Sequence, residues 1–428
     1  MKSRGLNPNA TFDWSRLTLV SVCVLAVCVS LGTALVSLSE ALLLLAFLGQ
    51  LLRDGSHKAI HWLRQAPKTV WFVGAAVAWF ALTILWSEAA TLQDSLFILY
   101  GHARLAWLVV ALYLIATPQR AWVVLLCLMA GQTLVLLFSW LLWLGLPLPW
   151  TTSTYPPESG VAFTSTLEQP VMTTLLTVLL WGFRERLISE SLSPNFGKFL
   201  VYGLMLAAIA NVFFVLTGRT GYLVMLVFLT LALTKALGKK ARPLVVLLPA
   251  LAVFLLFQFS DRFHHRLMEV RNDVIQYQKG TFDDSNSQGL RLDNWRVALQ
   301  GIEQRPWLGH GVGSFAKVYE AQQGHENRTV RDPHQQYLFW WVEGGLVGFA
   351  LLLGIFGALI GDSTLLNPDA RWALMCTTVI AATMSLANCP LFGIGMGEFF
   401  FVTMAALLGL KPQPFTEAAV SESPILNS

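Results

Sequence analysis

Charge is what this sequence has least of. Asp, Glu, Lys and Arg make up 13% of its 428 residues, where an ordinary soluble domain carries about a quarter. With 55% of the residues hydrophobic, that scarcity excludes a water-soluble globular chain. The formal net charge of +4 is small and gives no reason to expect a nucleic-acid partner. Cysteine is scarce as well: Cys23, Cys28, Cys127, Cys376 and Cys389 all sit in or at apolar runs without metal-ligand spacing. They read as small buried hydrophobes, and a disulfide framework is excluded. No HExxH motif occurs, so neither a metal nor another cofactor is expected. Repeats, low-complexity tracts and heptads are missing. A cleavable signal peptide is not evident, since the first 16 residues are polar and the apolar run behind them continues into a second one.

What the chain has instead is a succession of apolar runs of about 20 residues, the length a bilayer core requires. The expected fold is an all-α polytopic membrane protein of about twelve transmembrane helices with one large, partly helical outer loop. The spans fall at 17–36, 38–52, 69–87, 96–116, 121–144, 169–183, 199–217, 221–237, 243–259, 335–360, 371–388 and 394–410. Nine spans thus occupy residues 1–260, the loop 261–334, three further spans 335–410 and a polar tail 411–428. The first two spans read as a tight hairpin turning at residues 36–39. The sixth is short and follows Glu168-Gln-Pro170, so it can begin inside the protein.

Orientation follows from the short loops. One set carries Arg53, Lys58, Arg64, Lys68, Arg120, Arg184, Arg186, Lys198, Lys235, Lys239, Lys240, Arg242, Arg371 and Lys411. The opposite set holds Glu88, Asp94, Glu158 and Glu168 with hardly a cation. Basic short loops stay cytoplasmic, which puts both termini inside and the 261–334 loop outside. Tryptophans near span ends, among them Trp71, Trp86, Trp122, Trp140, Trp143, Trp150 and Trp181, read as an interfacial belt.

The long loop carries ten basic and ten acidic residues and two helical patterns. Over 261–279, Phe263, Leu267, Val270, Val274 and Tyr277 recur every three or four residues, a spacing that gathers them on one helix face. Over 291–304, Leu292, Trp295, Leu299 and Ile302 do the same until Pro306 stops the helix. Gly309, Gly311 and Gly313 then form a turn whose backbone can approach another group closely. An anion cradle and a plain structural turn fit that pattern equally. His334 stands directly after Pro333, at the start of the tenth span, where free helix N–H groups and the dipole favour an anion.

Three arginines are candidates for an anionic headgroup. Arg219 lies in a turn too short to be anywhere but the outer face. Arg291 opens the second loop helix. Arg104, eight residues into the fourth expected span, lies about 12 Å from its outer end, a depth that costs about 2.5–3.5 kcal/mol without a partner. A planar guanidinium offers paired donors to a pyrophosphate and keeps its charge. The bland alternatives are loop cations for Arg219 and Arg291, and an ion pair with Glu88 or another acid for Arg104. His334 suits general-base work near neutral pH, with a structural histidine as the even alternative. Glu343, two turns into the tenth span, can pair with an arginine or hold the histidine, and Glu398 has no assignment. His264, His265, His310 and His325 share the loop without metal-ligand spacing.

At these residues the chain resembles the O-antigen ligase and polymerase superfamily of bacterial surface-polysaccharide enzymes. The resemblance rests on Arg291-Leu-Asp-Asn-Trp295, on Arg305-Pro-Trp-Leu-Gly-His-Gly-Val-Gly313, on His334-Gln-Gln-Tyr337 leading to Glu343-Gly-Gly-Leu-Val-Gly348, and on Thr217-Gly-Arg-Thr-Gly221. It covers about residues 199–360. It implies metal-independent, inverting glycosyl transfer at the periplasmic side of a Gram-negative inner membrane. The donor would be an O-antigen glycan on undecaprenyl pyrophosphate, and the acceptor a sugar hydroxyl of lipid A-core. Arg104, Arg219 and Arg291 would bind the pyrophosphate and His334 would act as base. Tyr337, Glu343, Gly309, Gly311 and Gly313 would support them. Polymerising members commonly show two sizeable outer loops, whereas here only one is large, which favours a ligase. The chain runs about 18 residues beyond its last expected span, which argues against the extra C-terminal domain of protein-glycosylating members. A lipid-linked glycan flippase is the alternative from another class, but it should show inverted repeats.

Overall fold

The computed structural model describes residues 14–146, 148, 154–237, 261–280, 287–323 and 330–412, with isolated positions between 247 and 258. Among the described residues all regular structure is helical. The helices are α1 (Trp14–Cys28), α2 (Thr33–Gln65), α3 (Lys68–Leu82), α4 (Leu92–Ala103), α5 (Ala106–Ile115), α6 (Pro118–Trp143), α7 (Glu168–Gly182) and α8 (Arg184–Ser189). They continue as α9 (Pro194–Ala210), α10 (Arg219–Ala236), α11 (Asp261–Gln278), α12 (Ser287–Gln304), α13 (Phe315–Gln323), α14 (Gln336–Ser363), α15 (Pro368–Met384) and α16 (Met396–Gly409).

Local chemistry sets several of the starts. Thr117, Ser193 and Asn367 each accept a backbone N–H from the first turn of α6, α9 and α15. Each is followed by proline, whose missing N–H costs nothing at that position. Seven described helical stretches are long and apolar enough to cross a membrane. α1, α7, α15 and α16 are shorter, at 15, 15, 17 and 14 residues. α7 and α16 are buried almost all round, as helices at the centre of a bundle must be. The ninth expected span lies mostly outside the described residues, as do most of the tail and His325.

Several boundaries differ from expectation, among them the end of the second span, whose helix continues past residue 52 to Gln65. The first hairpin turns at residues 29–32, not 36–39, because Gly32 takes a φ of 120° there while residues 36–39 continue inside α2. The fourth span is two helices. At Arg104 and Leu105 the hydrogen bonds tighten to three-residue spacing, with Leu105 N–H donating to His102 O and Trp107 N–H to Arg104 O. A tightened turn inside a span marks strain or a functional constraint. Of the two loop helices, the first appears where the periodicity put it, whereas the second begins at Ser287, one turn before the expected start at Arg291.

The glycine turn docks into a break in α14. Gly345 interrupts that helix with φ 64°, and Gly309, Gly311 and Gly313 all have positive φ. His310 N–H donates to Val342 O, Gly311 N–H to Glu343 O and Gly313 N–H to the Glu343 carboxylate, at 2.8, 2.9 and 2.9 Å. These amides are therefore spent on the protein itself, and the turn is structural. Indole N–H groups of Trp79 and Trp341 donate to Gly344 O and Pro306 O, so part of the aromatic content serves this junction. On its far side Glu88 accepts from His310 Nδ1 at 2.6 Å and pairs with Arg305.

Two outcomes follow. A Cβ at Gly311 would collide with the Ser87 backbone, and the left-handed backbone adds about 1–2 kcal/mol for any other residue. Gly311→Ala should therefore lower the unfolding midpoint by several degrees, and an unchanged melt would show that the turn is not pressed against the 83–87 segment that follows α3. Burial raises the Glu88 carboxyl, but the His310 hydrogen bond and the nearby cations outweigh it and leave the group below its ordinary value of 4.5. Such a group stabilises the fold above about pH 4.5, and the gain fades as pH falls through the lower folded-state value. Melting curves from pH 3 to 7 should be flatter in Glu88→Gln on the acid side, and parallel curves would remove Glu88 from the acid response.

Candidate functional site

A cavity of about 790 Å³ opens where the start of α10 meets α11, α12 and the segment before α7. Thr166, Leu167, Gly218, Arg219, His265, Glu269 and Arg291 are among the residues that line it. The Thr217-Gly-Arg-Thr-Gly221 turn is pressed against the start of α7. A Cβ at Gly218 would meet Thr166 O, and one at Gly221 would meet Pro170, which is why glycine brackets the arginine. The first turn of α10 lines the same opening through Arg219 and Thr220 and brings its positive dipole end there.

The two cavity arginines are not equivalent. Arg219 is held by two acids of α11, with Nη2 2.7 Å from Glu269 Oε2 and Nη1 3.6 Å from Asp273 Oδ2. Its Nη1 is buried without a hydrogen-bond partner. Arg291 is half-buried and has no ion-pair partner among the described residues. Burial, and then the charge of Arg219 beside it, pull its pKa below the ordinary arginine value. Arg219 has its acids, but the half-buried Arg291 beside it leaves one cation at the cavity for an anion to meet.

Arg104 does not join them. It is buried inside the bundle, about 18 Å along the helix from the start of α4. There it pairs with Glu398, stands 3.9 Å from Glu40 and donates to Phe392 O at 3.0 Å. The expected three-arginine cluster is thus corrected to two, because a guanidinium surrounded by apolar helices takes the nearest carboxylates. Its partner is Glu398, which also accepts the Gly395 N–H. Arg104 and Glu398 together hold the 385–395 segment.

That segment in turn carries His334. The backbone N–H of Gln336 donates to Ser385 O and Asn388 O, and the Leu391 N–H donates back to the Gln336 side chain. His334 has φ 53°, an uncommon backbone for a residue other than glycine. Asp332 braces it twice, accepting the His334 N–H at 2.8 Å and lying 3.2 Å from ring Nδ1. Burial would raise the Asp332 carboxyl, but its bonds to His334 and Cys389 hold it below the ordinary value. His334 is exposed and is not part of the cavity lining. The two places are linked through Glu168, which follows cavity-lining Leu167 and lies against Gly393 of the same segment.

The supporting residues serve the fold around this site. Glu343 is fully buried and binds His102 at 3.0 Å, so it holds a histidine, but a different one from His334. Tyr337 donates to Ala382 O at 2.9 Å. His265 faces the cavity with its Nδ1 3.2 Å from Glu269, and His264 packs on Phe257. Asp332 was missed by the sequence reading. Its signal was available, since Asp two residues before a strained position is a common turn-former.

Breaking a buried ion pair costs about 3–5 kcal/mol because one charge is left alone. Arg104→Gln should therefore lower the melting temperature sharply, and adding Glu398→Gln should restore part of it. A single variant as stable as the parent would show that the pair does not hold the 385–395 segment.

Residues 203–353 match the sequence family described as O-antigen ligase. That window contains Arg219, Arg291, Asp332, His334 and the whole glycine turn, but neither Arg104 nor Glu398. An uncharacterised protein of Haemophilus influenzae is 31% identical over 93 residues, which is 21% of this chain and 23% of the relative. The similarity thus spans less than a quarter of that relative's length.

Proposed function

We propose, from an O-antigen ligase family domain that contains both cavity arginines and His334, that this multi-pass membrane protein is an O-antigen ligase. The observation that carries the reading is the half-buried, unpaired Arg291 beside Arg219 at one cavity. A glycan on undecaprenyl pyrophosphate brings the anionic partner that Arg291 lacks. Its departing charge grows in the transition state, where preorganised cations lower the barrier most. Because the guanidiniums supply that charge, the step needs no metal.

The acceptor is a sugar hydroxyl of lipid A-core, presented on the periplasmic side. With Nδ1 turned to Asp332, His334 keeps its Nε2 lone pair for the hydroxyl proton. The hydroxyl oxygen attacks the anomeric carbon as its bond to the pyrophosphate breaks. Undecaprenyl pyrophosphate leaves, the proton stays on Nε2, and the anomeric configuration inverts. Asp332 acts through His334 by fixing its tautomer and orientation, and Arg104 with Glu398 acts through the segment that carries Gln336. A second reading moves the base to His265, because His265 lines the cavity and has its own carboxylate.

Purified protein, lipid-linked glycan, lipid A-core and a chelator would be incubated and the products resolved on a gel. Glycan should appear on lipid A-core. His334→Ala should lose about 10²–10⁴-fold in rate, the usual range for a general base. Asp332→Asn should lose less and shift the pH–rate profile. Arg291→Lys should weaken donor use, since a point charge cannot replace the fork, and His265→Ala should stay near the parent. Loss confined to His265→Ala would transfer the base to that residue. Chains lengthened on the carrier would instead identify a repeat-unit polymerase, and no product of either kind would return the flippase to consideration.

A further inference from the structure

A second basic cavity lies at the opposite end of the bundle, where no reacting group has been located. α6 runs 26 residues, about 39 Å, from Arg120 at this end to the neighbourhood of the Arg219 cavity. The space here measures about 510 Å³, and Arg53, Asp54, Lys58, Trp62, Tyr113 and Arg120 line it. Asp54 is the sole acid in that lining, set against three permanent cations. It is already engaged, accepting from Tyr113 Oη at 2.7 Å and from Gln50 at 2.9 Å, and Lys58 stands 3.9 Å away. Arg53 and Arg120 have no ion-pair partner among the described residues.

The cavity exists because α2 breaks. Gly55 has φ 69° and ψ 170°, which turns the last ten residues of the helix away from the preceding part. A Cβ there would meet nothing within 4 Å, so the glycine is needed for its backbone angle alone. Ahead of the break, Leu45, Leu48 and Leu52 are exposed, as on a lipid-facing surface. Behind it, Ile60 and Leu63 are exposed beside Lys58, His61 and Arg64, the mixture of an interfacial helix. A second space of about 210 Å³ adjoins the first through Trp62, Gln65 and Ala116, and Leu112, Pro118 and Leu408 give it apolar walls.

We propose that this pair of cavities binds an anionic phospholipid. Its phosphate sits among Arg53, Lys58 and Arg120, and the glycerol end of its chains lies in the adjoining apolar space. A free phosphate would satisfy the cations but would have no use for the second space. The short-loop charges assign this end to the cytoplasmic face, where basic pockets between helices meet anionic headgroups.

The test uses the full-length protein in neutral phosphatidylcholine nanodiscs, with phosphatidylglycerol titrated in and retained lipid read by native mass spectrometry after release. The parent should retain phosphatidylglycerol over phosphatidylcholine. Arg53→Gln combined with Arg120→Gln should reduce that preference at least about tenfold, two lost charge-assisted contacts being enough for it. Lys198→Gln, which removes a cation outside the cavity, should retain it. Melting in phosphatidylcholine alone checks that the double variant is folded, and Lys58→Gln replaces it if it is not. Equal retention in parent and cavity variants overturns the proposal. So does full displacement of the lipid by millimolar inorganic phosphate, which would mark a phosphate site instead.

Discussion

A charge buried among apolar helices must find its opposite, and the Arg104–Glu398 pair is where this bundle meets that demand. The pair lies at a tightened turn inside one span and reaches the first turn of the last helix. Through Phe392 O and Gly395 it fixes the backbone segment on which Gln336, and behind it His334, is seated. Remove the pair and that segment keeps its bonds to Gln336 and the packing of Phe392 on His102 and Phe339, but loses its anchor to the Arg104 turn. The pair's burial excludes water, so removing one partner costs more than breaking a surface bridge.

Arg291 is the informative exception to the same rule. Arg104, Arg219 and Arg305 each have carboxylate partners, while Arg291 is half-buried and has none among the described residues. Left unpaired at a cavity, as Arg53 and Arg120 are at theirs, it places a charge deficit where a ligand can meet it. The glycine turn shows the reverse logic. Its amides looked free for an anion, yet Val342 and Glu343 already use them, and the turn locks the segment after α12 to the break in α14.

Much of the architecture was legible because its signals are local. Apolar runs and the three-four periodicity over residues 261–279 and 291–304 each depend on neighbours a few residues away. The 29–32 turn was misread because the apolar run does not pause there; only the backbone freedom of Gly32 ends the helix. The partners were not legible. Glu398 follows Arg104 by nearly three hundred residues in the chain, and nothing near either position identifies the other.

By itself the sequence determined that the chain is helical and membrane-embedded, where the helices of its long loop run, and that Arg219, Arg291 and His334 are among the residues to examine. These follow from hydropathy, periodicity and residue chemistry, which act over a few turns. Tertiary structure alone decided that two arginines share the cavity while the third is paired, that Asp332 braces His334, and that Glu343 holds His102. Ion pairs and hydrogen bonds reach only a few ångströms, so which groups come within that reach is settled by how the helices pack.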